Sequence, residues 1–179
     1  MLPPGHIAAG YLTAEVLLKI TRPDLPAEQI NQLILWGMFF GFAPDLDMFY
    51  AFFKEKAFIV KDLKNHNHRK YYSHAPILWL AAGVSVYFLA VSTYVKFIGL
   101  MLWLGSWTHF LLDSIEYGIM WLWPLSSKVY ALKDPELVLP IYETRFIPYW
   151  WQSVKQYTKF YSFYLEVLII ITALIIYYK

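Results

Sequence analysis

From Ala75 to Val95 the chain runs for 21 residues without one charged side chain. Wound as an α-helix, such a stretch rises about 32 Å, which matches the hydrocarbon thickness of a bilayer. Composition points to the same solvent. Hydrophobic residues make up 59% of the 179 and charged ones 16%, against about 25% charged in an ordinary soluble domain. So little polar surface cannot coat a water-soluble globule. Aromatics reach 20%, with 15 Tyr and 8 Trp, and amphipathic rings of this kind collect where membrane meets water. The competing reading is a soluble helical protein with a large buried core.

Further apolar runs follow from the same criterion. Phe97–Leu112 comes after the single charge of Lys96, and so short a join predicts an antiparallel hairpin with the 75–95 span. Phe163–Tyr178 is a third run and Gln29–Ala43 a fourth, the latter closed by Pro44, which disfavours helix at the residue before it. His6–Ile20 is weaker, because Thr13, Glu15 and Lys19 interrupt it; it reads as a short tilted span or an interfacial helix. The expected fold is therefore all-α: a polytopic membrane helical bundle of about four to five hydrophobic helices, in one membrane-embedded domain over residues 1–179. The opening MLPPGHIAAGYL has no basic region and no small-residue cleavage site, so no removable signal peptide is expected.

Two polar connections carry most of the cationic residues. Lys54–Lys70 holds six, and Ser114–Lys159 holds Lys128, Lys133, Arg145, Lys155 and Lys159. A hairpin of 75–95 with 97–112 brings both connections out on one side, which the positive-inside tendency makes cytoplasmic. Within the longer one, residues 126–160 form a polar and aromatic stretch whose Tyr142–Trp151 portion suits an interfacial lid. A formal charge of +2 and the lack of a basic track argue against nucleic acid as a partner.

That topology collects the ionisable residues at one membrane face. His74 precedes the 75–95 span, His109 and Asp113 close the returning one, Asp45 and Asp47 follow the run that ends at Ala43, and His6 opens the first. Charges at membrane depth are costly and tend to mark function. With no cysteine, any metal must be held by His and carboxylate. His109 and Asp113, spaced i, i+4, share a helix face and suit two ligands of one cation, or a carboxylate steadying an imidazole. Asp45 and Asp47 in Pro44-Asp45-Leu46-Asp47 could face one cation from an extended turn, or simply form an aspartate turn. His68 and His74, six apart, would point about 240° away from each other on a straight helix and need a bend or separate roles. Arg69 can fork onto a phosphate or carboxylate. Lys54–Lys64 and His66 read as solvated loop.

Taken together, Gly5-His6, the PDLD at 44–47, His68-Arg69-Lys70-Tyr71-Tyr72-Ser73-His74, and His109 with Asp113 followed by Trp123-Pro124 resemble the YdjM-like family of inner-membrane metal-dependent hydrolases. The match in order and spacing covers about the first 125 residues. Lys70 stands where the family has Gly, and Ala75 replaces a Ser, while Ser73 keeps the hydroxyl of the usual Thr. The order of His and Asp is also similar, more loosely, to that of zinc-dependent phospholipase C. These resemblances imply phosphoester hydrolysis and metal binding by His6, Asp45 or Asp47, His74, His109 and Asp113; both aspartates are expected ligands.

The expected function is thus a metal-dependent hydrolase acting on a phosphoester, lipid included, at the cytoplasmic surface of the inner membrane. A divalent cation is the cofactor, Zn²⁺ first for imidazole and carboxylate donors, with Mn²⁺ or Mg²⁺ as alternatives. His68 and Asp47 are the expected catalytic residues, and Arg69 and Ser73 the expected substrate contacts. Two rivals stand beside this reading. One is a non-catalytic membrane protein that binds metal or lipid headgroups. The other is a transporter, against which the 75–95 helix offers no ladder of polar residues.

Overall fold

The computed structural model describes residues 1–47, 49–50, 71–116, 118–133 and 146–179. Among them the chain forms six α-helices: α1 (Pro3–Thr21), α2 (Ala27–Phe42), α3 (Pro76–Leu89), α4 (Thr93–Asp113), α5 (Phe146–Tyr157) and α6 (Tyr161–Tyr177). The only β pairing among the described residues is an isolated antiparallel bridge between Ile119 and Tyr130. The expected all-α class is the one observed.

Helix boundaries follow from local chemistry. α1 opens on Pro3 and Pro4, which need no intrahelical N–H partner in a first turn, and closes at Arg22 in the left-handed region (φ 44°), whose N–H bonds Leu18 O. The helix is thus longer than the expected His6–Ile20. α2 runs into a 3-10 turn over Ala43–Leu46 that contains Pro44. A second 3-10 turn, Tyr72–His74, delivers the chain to Pro76 at the start of α3.

The expected single span over 75–95 is corrected. α3 ends at Leu89, the backbone is extended at Ala90 and Ser92, and α4 begins at Thr93 rather than after Lys96. Ser92 caps the new helix, its hydroxyl accepting from Val95 N–H at 3.3 Å. An uncharged residue can end one helix and start the next as firmly as a charged one, and a count of charges does not register it. The apolar material is thereby redistributed: α4 is the one described helix long and apolar enough to cross a membrane, and α3 and α6 are shorter apolar helices.

α1 pairs with α2, α3 with α4, α4 lies across both α1 and α2, and α6 packs on α1. Ala14, Leu18, Leu33, Phe40, Ala43 and Met101 fill the space where α1, α2 and α4 meet. The α1–α2 contact is made by backbone. A Cβ on Gly10 would lie 2.3 Å from Gly37 O, and one on Gly41 would lie 2.6 Å from His6 O. Small residues permit this approach, which in a lipid setting supplies the van der Waals contact that holds helices together. Alternating helix directions then place the start of α1, the end of α2, the start of α3, the end of α4 and the start of α6 at one end of the bundle.

Gly10→Ala is expected to force α1 and α2 apart and to lower stability by about 1–3 kcal/mol, read by denaturant unfolding in detergent. Gly105→Ala, whose Cβ would meet nothing nearer than 3.2 Å, is expected to cost less.

Candidate metal centre

At that shared end a buried polar cluster forms. His6, His74, His109 and Asp113 are fully buried, and Asp45 is nearly so. One donor atom each from Asp45, His74, His109 and Asp113 can be chosen so that all four lie within 4.8 Å of one another. Asp45 is the hub. Its Oδ1 sits 3.5 Å from His74 Nε2 and 3.5 Å from His109 Nε2. Asp113 Oδ2 is 3.8 Å from His109 Nε2. The 3-10 turn at the end of α2 turns Asp45 inward, while the i, i+4 spacing on α4 sets Asp113 beneath His109.

Outer partners fix the orientation of both imidazoles. His109 Nδ1 lies 2.9 Å from Gly41 O. A carbonyl only accepts, so Nδ1 carries the proton and the Nε2 lone pair faces Asp45. His74 Nδ1 lies 2.8 Å from Asp47 Oδ2, which directs the His74 Nε2 lone pair to the same carboxylate oxygen. Asp47 in turn accepts from the Ser73 hydroxyl. A lone pair held this way, with a carboxylate or carbonyl behind the other ring nitrogen, is the arrangement of metal-bound histidine.

The donor set fits a divalent cation. Among the described residues, His109 Nε2 is buried and makes no hydrogen bond, and the same holds for both ring nitrogens of His6. Leaving such atoms unsatisfied is costly. Tetrahedral ligands at bonds of about 2.1 Å lie about 3.4 Å apart, close to the two 3.5 Å separations around Asp45 Oδ1.

His6 stands at the edge of this group. Its ring stacks on His109 at 3.7 Å between centroids, and its Nε2 is 3.3 Å from Asp113 Oδ1 and 4.0 Å from Asp45 Oδ2. The N-terminal ammonium also reaches Asp113 Oδ1, at 2.6 Å.

The structure therefore brings together His6, Asp45, His74, His109 and Asp113, with Asp47 and Ser73 one layer out, behind His74. Asp47, expected as a metal ligand and a catalytic residue, has its Oδ2 2.8 Å from His74 Nδ1. Ser73, expected as a substrate contact, lies beside it and donates its hydroxyl to Asp47. His68 and Arg69 lie outside the described residues, as do His66 and the Tyr142–Arg145 part of the expected lid; α5 begins just after.

One residue that sequence reasoning missed supports His6 from across the chain. Glu166 of α6 is buried and accepts from Leu2 N–H at 3.1 Å, from Gly5 N–H at 3.2 Å, and from the Tyr157 hydroxyl. It caps the first turn of α1, where unpaired N–H groups and the helix dipole favour an anion. Gly5 allows the contact, since a Cβ there would lie 2.6 Å from Glu166 Cγ. The available signal was a lone carboxylate within an apolar run.

Compared with known proteins, residues 1–179 match a family described as YdjM inner membrane protein. No curated protein and no solved structure matches the chain.

Asp47→Asn keeps a hydrogen-bond acceptor for His74 but removes the charge behind it. It is expected to weaken divalent metal binding about 10- to 100-fold with unchanged helix content, measured by metal titration of purified protein beside circular dichroism.

Proposed function

The chain belongs to the YdjM inner membrane protein family, a lipid-bilayer setting, and from that premise we propose a multi-pass, metal-dependent hydrolase of phosphoesters with its site on the cytoplasmic side. One observation carries the reading: two imidazoles, each oriented from behind by a fixed partner, converge with Asp45 Oδ1 at 3.5 Å. Asp45, His74, His109 and Asp113 hold the cation, Zn²⁺ foremost, and His6 lies against them. Bound there, the cation would supply Lewis acidity and an acidified water. Asp47 holds His74 in its tautomer. Arg69 holds the substrate anion, and His68 serves as acid or base; both roles are drawn from the sequence, since these residues lie outside the described ones.

Several features support the multi-pass topology. α1, α2, α3, α4 and α6 lie in alternating directions, with apolar residues such as Phe88, Leu168, Leu174 and Ile175 exposed on the outside. Water does not favour such a surface, and lipid does. Both cation-rich connections, 54–70 and 114–159, leave from the end that holds the cluster, which supports a cytoplasmic site.

A second reading draws on burial. Structural metal sites are closed, whereas catalytic ones keep an open position, and His6, His74, His109 and Asp113 are fully buried. A non-catalytic site for metal or headgroups fits that enclosure.

Turnover separates the two. Purified protein is expected to carry divalent metal and to hydrolyse a phosphodiester; chelation or His109→Ala is expected to lower the rate at least about 100-fold. Bound metal without chelator-sensitive turnover on a panel of phosphate esters would leave the non-catalytic reading. For topology, the absence of cysteine makes single-cysteine labelling clean. A membrane-impermeant maleimide added outside intact cells is expected to label Asp24→Cys and to spare Ser127→Cys; the reverse pattern would invert the orientation.

A further inference from the structure

Between α4 and α6 the chain leaves the bundle at the end that holds the metal cluster. The described stretches 119–133 and 146–160 of this connection contain Lys128, Lys133, Lys155 and Lys159 and no Asp or Glu. Their large apolar side chains are on the outside: Leu125 is 92% exposed, Leu132 85% and Ile147 78%, with Leu122 and Trp151 exposed as well. Water does not favour such a surface. The lysines stand among these groups. Lys128 Nζ lies 5.4 Å from the centre of the Tyr130 ring, Lys133 Nζ 4.6 Å from that of Tyr161, and Lys155 Nζ 5.2 Å from that of Trp151. Lysine stems and amphipathic rings are the side chains that populate the boundary between hydrocarbon and water.

α5 concentrates the pattern. Ile147, Trp151 and Val154, spaced by four and three, form one exposed apolar stripe. Lys155 flanks it, and the exposed Gln152 stands about 140° around the helix from Ile147. No other described helix packs along α5. The helix is held at its last residue: Tyr157 is buried, donates its hydroxyl to Glu166 of α6, and meets the Phe163 ring edge-on at 5.7 Å between centroids. One end is thus tied to the bundle while the apolar stripe stays uncovered.

We propose that α5 and the 119–133 segment form an interfacial collar that binds anionic phospholipid. The stripe and the exposed leucines enter the acyl boundary of the leaflet on the metal-cluster side, and the lysines engage lipid phosphates. Two observations select this occupant. The chain belongs to an inner membrane family, and helices that cross a bilayer deliver their connections to its surface. Charge argues against a second copy of the chain, since two such faces would set lysine against lysine with no carboxylate between them. A face of apolar side chains and lysine without acid complements a negative headgroup layer. The inference rests on the multi-pass placement and not on the hydrolase chemistry, since no residue of the metal cluster takes part.

The chain has no cysteine, so nitroxide labels can be placed singly on the full-length protein in bilayer nanodiscs. Collision with oxygen and with a water-soluble nickel chelate is the readout. In nanodiscs that contain phosphatidylglycerol, labels at Ile147→Cys, Val154→Cys and Leu125→Cys are expected to show an oxygen-to-nickel collision ratio several-fold above that at Gln152→Cys. In phosphatidylcholine alone the difference is expected to shrink. Lys155→Gln combined with Lys159→Gln is expected to produce the same loss in phosphatidylglycerol, whereas Lys96→Gln, near the opposite end of α4, leaves the profile unchanged. Leu168→Cys, at an exposed position of α6, reports the bundle itself. Nickel-dominated collision at Ile147 and Val154 beside oxygen-dominated collision at Leu168 overturns the collar and keeps the multi-pass placement; nickel-dominated collision at all three overturns both. Equal profiles in the two lipids overturn the anionic partner. Shielding from both reagents, with spin–spin broadening, overturns the lipid surface in favour of a second copy.

Discussion

The approach of α1 to α2 at Gly10, Gly37 and Gly41 governs the rest of the architecture. With backbone against backbone, His6 is carried up to the end of α2, and the Gly41 carbonyl becomes reachable by His109 Nδ1 at 2.9 Å. That one hydrogen bond selects the tautomer of His109 and aims its second nitrogen. A side chain of any size at the crossing would separate the helices, withdraw the carbonyl and unstack His6 from His109. The glycines thus act on the chemistry of the site without touching it, and the small-residue packing used by membrane helices for adhesion here also sets an imidazole.

Around Asp45 the structure concentrates like with like. Two imidazole nitrogens and a carboxylate oxygen face one another at 3.5 Å among buried side chains, an arrangement that a divalent cation could occupy. Asp47 and Gly41 maintain it by holding protons on the far side of each ring. The outer partners and the inner donors together give the cluster the arrangement that metal-bound histidine uses, so it could hold a metal ion.

Much of this was legible in the sequence, for a reason specific to membrane-like chains. Where almost everything is apolar, an ionisable residue at a helix end stands out, and helix ends can be placed from apolar runs; His74, His109, Asp113 and Asp45 were found in that way. What escaped depends on orientation or on tertiary contact. The role of Asp47 turns on which nitrogen of His74 it meets, and residue spacing carries no such information. The break at Ala90–Ser92 is made by a hydroxyl cap within an uncharged run. Glu166 partners N–H groups more than 160 positions away; its place in an apolar run marks it as unusual, but nothing local names its partners.

That last contact has a consequence in time. A chain is made from its N-terminus, so α1 exists long before α6, yet the first turn of α1 receives its anionic cap only from Glu166. Until α6 is in place, the Leu2 and Gly5 N–H groups lack their anionic acceptor, and Gly5 has only its bond to Leu2 O at 3.0 Å. The order of synthesis therefore separates the making of the ligands from their final positioning: Asp45, His74, His109 and Asp113 are all translated before the piece that secures the start of α1. The start of α1 is secured late, from α6, which contributes none of the four candidate ligands.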